Sequence, residues 1–137
     1  MTEGIMRTVR LVGGEEDETA SIDCAHRDKA CHIAFSYRGK VIEESARDFF
    51  EAFCHVRLRL EYEKLIPMCY GASLNVYPSG MGRDMSSGLM AYRTTVGKVP
   101  ESADLVNIFD YGPDFIPATV AQQRGHWQEW LKSRGFS

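Results

Sequence analysis

The stretch ASIDCAHRDKACHIAFSY, residues 20–37, places two apolar-polar alternating arms, 20–26 and 31–37, on either side of the loop Arg27-Asp28-Lys29-Ala30. Pairing the arms with His26 opposite Cys31 puts Ala20, Ile22, Cys24, His26, Cys31, Ile33, Phe35 and Tyr37 on one face. Ser21, Asp23, Ala25, His32, Ala34 and Ser36 fall on the other. Successive side chains of a strand point to opposite faces, so this pattern predicts an antiparallel hairpin with one dry face and one wet face. Arg38-Gly39 turns the chain again into KVIEE, 40–44, and Gly39 supplies the positive φ of a tight turn. IMRTVRLV, 5–12, is rich in Val, Thr and Ile and reads as a further strand. The front third is therefore expected to be an antiparallel meander of three or four strands.

The remainder alternates helix and strand signals. Ser45 reads as an N-cap with Asp48 as its capping-box acid, ahead of a helix over about 46–64. Phe49, Phe53, Val56 and Leu60 form its apolar row, with Phe50, Cys54, Leu58 and Tyr62 beside it. Arg57, Arg59, Glu61, Glu63 and Lys64 are assigned to solvent. MCYGASLNVYP, 68–78, reads as a strand with Gly71 at a bulge. Asp84 is expected to cap a short helix over about 84–92, with Met85, Leu89 and Tyr92 along one side. Strands are expected at 92–96 and 104–109. Thr119 and Gln122 form a capping box for a last helix, 119–133, with Val120, Trp127, Trp130 and Leu131 on its apolar side and Gly135 as its stop. The expected architecture is one α+β domain over 1–137. Its mainly antiparallel sheet is covered on one face by the two longer helices and the short one.

With 137 residues, 44% apolar and 26% charged, the chain is long enough for one proper core. No apolar run reaches the roughly 18 residues of a membrane span, and MTEGIMRTVR has no apolar leader core, so a cytoplasmic protein is expected, without membrane contact. In that setting Cys24, Cys31, Cys54 and Cys69 are expected to be free thiols. A net charge of −3 argues against a nucleic-acid binder, which needs a basic footprint. The acid is concentrated in Glu15-Glu16-Asp17-Glu18 and in residues 99–114, where Glu101, Asp104, Asp110 and Asp114 stand with no basic residue among them. Two solvated loops would have this composition; so would an acidic surface that attracts a basic partner.

Three motifs were weighed for chemistry. Cys24, His26, Cys31 and His32 supply four zinc-type ligands in nine residues, but the hairpin register turns His32 away from the other three, and no metal is expected. Cys69 or Ser73 as a nucleophile would need His26, His32, His55 or His126 as its base, and nothing in the spacing joins any such pair. VYPSGMGRDMSSGLMAYR, 76–93, contains Gly80-Met81-Gly82, yet Met85 occupies the place of the third glycine of a dinucleotide fingerprint. Its simplest reading is a turn, a cap by Asp84 and packed methionines. A small anion site built on Tyr77, Ser79, Arg83, Ser86 and Ser87 is the alternative, and the Tyr and Arg content also suits a partner surface.

Two functions follow. The first is a small non-enzymatic binding protein, of the inhibitor or immunity type, that neutralises a basic toxin enzyme. Its partner would be met by Glu15, Glu16, Asp17, Glu18, Asp104, Asp110 and Asp114. The second is a small enzyme or ligand-binding domain with the anion site around 69–93. The sequence leaves catalysis open, weighted toward binding, calls for no cofactor, and permits a homodimer through Trp127 and Trp130.

Overall fold

The computed structural model describes residues 5–135, and its hairpin has the register that the alternation demands: His26 pairs with Cys31, Cys24 with Ile33 and Ile22 with Phe35. The first four residues, part of the segment inspected above for a leader, lie outside the described residues. β2 (Thr19–Arg27) and β3 (Ala30–Tyr37) are joined by Asp28 and Lys29 alone, both at positive φ (50° and 67°). Arg38 and Gly39 repeat this geometry before β4 (Lys40–Ala46). Such two-residue turns match the right-handed twist of the strands they join. β1 (Ile5–Val12) pairs with β2, and the two-residue β5 (Ile66–Pro67) adds to the far end of β1, giving an antiparallel sheet in the order β4-β3-β2-β1-β5. Its inner face buries Val9, Leu11, Ile22, Cys24, Ile33, Phe35 and Ile42.

α1 (Phe49–Glu61) lies across β3 and β4. Phe49, Phe50, Phe53, Val56 and Leu60 are buried, each worth about 1.5–3 kcal/mol relative to exposure. Its N-cap is Asp48, not Ser45: Asp48 Oδ1 accepts from the Glu51 amide at 2.8 Å, while Ser45 remains in β4. The second expected row holds only at Phe50 and Cys54. Leu58 is 45% exposed and Tyr62 91%. Each four-residue step advances about 400° around the helix, so a row of three such steps drifts about 120° off the core.

Arg57 is the largest departure from expectation. Its side chain is 2% exposed, beneath the apolar stripe where charge was assigned to solvent. Nη1 donates to Gly71 O at 2.9 Å and to Gln123 Oε1 at 2.7 Å, and Nη2 donates to Ala118 O at 3.1 Å. Gln123 is buried too, and its Nε2 donates to Gly71 O and Ser73 O. Burial pushes the Arg57 pKa down. The guanidinium is held by three neutral oxygens, of which Gly71 O also accepts from Gln123 Nε2.

These bonds gather a second layer. The segment read as a strand over 68–78 is instead β5, a single 3₁₀ turn at Tyr70–Ala72 and the short β6 (Val76–Tyr77). Gly71 marks a close approach rather than a bulge: a Cβ there would lie 3.0 Å from Ile108 O and from the Phe53 ring. β6 begins a three-stranded antiparallel sheet, β6-β7-β8, with β7 at Met90–Arg93 and β8 at Leu105–Asn107. The short helix, α2, runs from Gly80 to Met85 and is capped by Ser79, whose Oγ accepts from the Gly82 amide at 2.9 Å; Asp84 is inside it. The methionines do not pack. Met81 and Met85, one turn apart, are 70% and 80% exposed, because the inward side is formed by Gly82 and Ser86. α3 (Val120–Ser133) starts at the expected Thr119/Gln122 capping box and packs on β6 and α1. Glu61, also assigned to solvent, accepts from the Val120 amide at 2.9 Å. No helix among the described residues is long and apolar enough to cross a membrane.

Arg57→Ala takes the guanidinium donor from Ala118 O and Gln123 Oε1 and leaves a cavity, and urea denaturation is expected to show a loss of about 3–5 kcal/mol. Arg59→Ala, which removes an exposed pair with Glu44, is expected to stay within about 1 kcal/mol.

Candidate functional site

Two of the acidic residues singled out from sequence pair with β1. Asp17, in the β1–β2 loop, lies 3.4 Å from Arg10 Nη2. Asp110, just after β8, is hydrogen-bonded to Arg7 on the same strand. Arg7 and Arg10 are three residues apart, about 10 Å along the strand and on opposite faces of it, so two segments more than ninety residues apart in sequence are tied to one strand from its two sides. Sequence counting missed the arginines that each loop recruits. Glu18 accepts from Arg38 Nε at 2.6 Å and Nη2 at 2.9 Å. Asp114 accepts from Arg93 Nη1 at 3.1 Å and from Tyr70 Oη at 2.6 Å, and Asp104 stands 3.9 Å from Arg93.

The pairing is partial. Asp17 and Glu18 pair with Arg10 and Arg38, and Asp104, Asp110 and Asp114 with Arg93 and Arg7, while Glu101 has no ion pair among the described residues. Four carboxylates against two guanidiniums leave a charge of −2 at residues 15–18; at residues 101–114 Lys98, which lines a pocket with Glu101, Asp104 and Arg93, reduces the excess to −1. Glu15 and Glu16 are exposed and have no ion pair among the described residues. Arg38 hydrogen bonds hold the Glu18 carboxyl at about 2, well below its usual 4.5.

The residues of the anion alternative are brought together only in part. A cleft of about 580 Å³ opens between α1, α2 and α3, and Tyr77 and Arg83 line it. Its rim carries Arg47, Arg83 and Arg124 against Asp48, Glu51 and Asp84. Arg83 is already engaged: Nη1 donates to Asp48 Oδ2 at 2.8 Å, and the guanidinium lies over Phe50 (5.3 Å) and Tyr77 (5.7 Å). The serines serve the turn. Ser79 caps α2, Ser86 Oγ accepts from Met90 N, and Ser87 O accepts from Phe49 N at 2.7 Å, satisfying a first-turn amide of α1. Gly88 (φ 79°) closes this corner, since a Cβ there would sit 2.7 Å from Asp48 Oδ1. Tyr77 stacks on Trp127, and Trp127 on Trp130, each pair at 4.9 Å.

The nucleophile candidates are committed elsewhere. Cys69 is fully buried, and burial pushes its thiol up to about 12, far from a thiolate at neutral pH. Ser73 Oγ bonds Asn75 Oδ1 at 2.7 Å and accepts from the Ile116 amide at 3.0 Å. His26 faces the Phe49 ring, and Cys31 Sγ lies 3.8 Å from its Nδ1; His32 is on the opposite sheet face, between Ser45 Oγ (2.7 Å) and Glu43 Oε1 (3.0 Å). His55 lies 4.0 Å from Glu44, and His126 is on α3. Among the described residues no group of three or more His, Cys, Asp or Glu is arranged to hold a metal ion. All four cysteines are free and buried.

The chain matches no protein-family model, and no curated protein matches it at a significant level.

Because the folded pKa of Glu18 is depressed, its contribution to stability is full above about pH 4.5 and is lost as the pH falls toward about 2. Urea midpoints measured across that window should fall less steeply for Glu18→Gln than for the parent, with the two curves converging at the acid end.

Proposed function

We propose that this chain is a small cytoplasmic binding protein of the inhibitor or immunity type, which neutralises a basic enzyme by protein–protein contact. The supporting observation is that two acidic segments are tied to one strand, each with acid in excess of the basic side chains around it. Charge paired within a loop still leaves the long-range field of the excess, and that field steers a basic partner before contact. The four free, buried thiols suit a reducing compartment. The test is capture of a partner from the protein's own source on immobilised chain. The expected partner is basic, its association slows by about tenfold or more between about 50 and 500 mM salt, and Glu15→Lys with Glu16→Lys slows it further. A captured partner of neutral or acidic charge, with an association rate indifferent to salt, contradicts the proposal.

The cleft supports the second reading, a small-ligand site, through its volume, which lies within the roughly 300–1,000 Å³ of ligand pockets. An anion drawn to Arg83 must displace Asp48, and Asp48, Glu51 and Asp84 line the same cleft as Arg47 and Arg124. A thermal-shift screen with phosphate, nucleotides and carboxylates should therefore give no stabilisation at millimolar ligand; a shift abolished by Arg83→Ala would favour the ligand site instead.

A further inference from the structure

β1 is paired on both sides over only part of its length. The Leu11 amide donates to Glu18 O at 3.0 Å, so Leu11 faces β2, and ladder alternation assigns Val9 and Arg7 to the same side. The even-numbered residues face the other way, where Arg10 O accepts from Met68 N at 2.7 Å. β5 pairs only with Leu11 and Val12, and beyond Met68 the chain turns off into the 70–72 turn. Among the described residues, no strand lies beside Met6 and Thr8 on that side. Their amide and carbonyl groups, about 7 Å apart along the strand, point to an open edge.

A groove of about 610 Å³ runs along this edge, lined by Met68, Tyr70, Phe109 and Tyr111 together with Val9 and the charged Arg7, Arg10 and Asp110. Phe109 and Tyr70 are buried, while Tyr111 is 57% exposed. The edge therefore offers backbone donors and acceptors at strand spacing beside a trough for the side chains that alternate inward. That combination recognises an extended polypeptide. The charges select its composition. Arg7 and Arg10, the two cations at the edge, are engaged by Asp110 and Asp17, and the two segments that supply those aspartates carry further acid in excess of their basic neighbours.

We propose that the open edge of β1 accepts an extended segment of the basic partner as an added strand. The backbone of Met6 and Thr8 bonds to it, an apolar side chain enters the groove, and its Lys or Arg side chains lie beside the two acidic loops. This rests on the partner being basic, and adds how the partner is held.

The probe is an end-capped eight-residue peptide of alternating Val and Lys, added to the full chain labelled with ¹⁵N. The expected result is slowed hydrogen exchange at the Met6 and Thr8 amides. Affinity should drop about tenfold when the peptide is N-methylated along one edge, or when Thr8→Pro removes one edge donor. The methylated peptide needs no folded variant, so the answer does not depend on Thr8→Pro folding. Peptide binding that shifts signals of residues 15–18 and 104–114 without protecting Met6 and Thr8 overturns strand addition and leaves the basic-partner proposal standing. An alternating Val and Glu peptide that protects the edge equally overturns the charge selection, and with it the basic partner. Protection of Met6 and Thr8 that rises with protein concentration alone assigns the edge to a second copy of this chain and overturns the proposal.

Discussion

A buried guanidinium organises this molecule. Arg57 carries a full charge into the space between the two layers, and a desolvated cation there is tolerable only if its donors are met. Gly71, Ala118 and Gln123 meet them, and they come from the 3₁₀ turn, the segment leading into α3, and α3 itself. The contact also works in reverse. Two backbone oxygens, Gly71 O in the turn and Ala118 O before α3, and the Gln123 side-chain oxygen obtain a donor from α1. Gln123 carries the arrangement one step further, to Ser73 O, whose residue then holds Asn75 and Ile116. The order of the second layer thus follows from one side chain on the helix that covers the first sheet.

A second polar corner supports the other end of α1. Asp48 caps the helix with one oxygen and holds Arg83 with the other, while Ser87 O closes on the Phe49 amide. This corner orients α2 so that Gly82 and Ser86 face inward and Met81 and Met85 face water. It also spends Arg83 on an internal carboxylate, which is why a segment with the composition of an anion site supplies no vacant cation. The same economy governs the acidic loops, where arginines from β1, β3–β4 and β7 engage part of the acid and the excess remains.

What the sequence made legible was whatever repeats locally. The hairpin register at His26 and Cys31 was readable because one face is dry and the period is two. The caps at Thr119 and Gln122 were readable because both partners lie within one turn. Arg57 was not, because a hydrophobic stripe is counted from apolar residues and a charge is assigned to water by default. The position itself held a signal: it stands four residues after Phe53 and three before Leu60, on the buried face. The acidic loops were recognisable as acidic, but Arg7 lies 103 residues from Asp110, and no local pattern reports such a pair. The 68–78 segment carried strand composition, yet it is held by bonds to Asp110, Ile108 and Ile116, all distant in sequence.

The central claim is that the Arg57 guanidinium is locked between the layers and is released only when they separate. Proton exchange at the guanidinium nitrogens, followed by ¹⁵N-resolved NMR, tests this most directly. The account predicts Arg57 Nη protons that exchange as slowly as the best-protected amides of α1 and α3, in contrast to those of exposed Arg59. Arg57 protons that exchange as fast as those of Arg59 would contradict it.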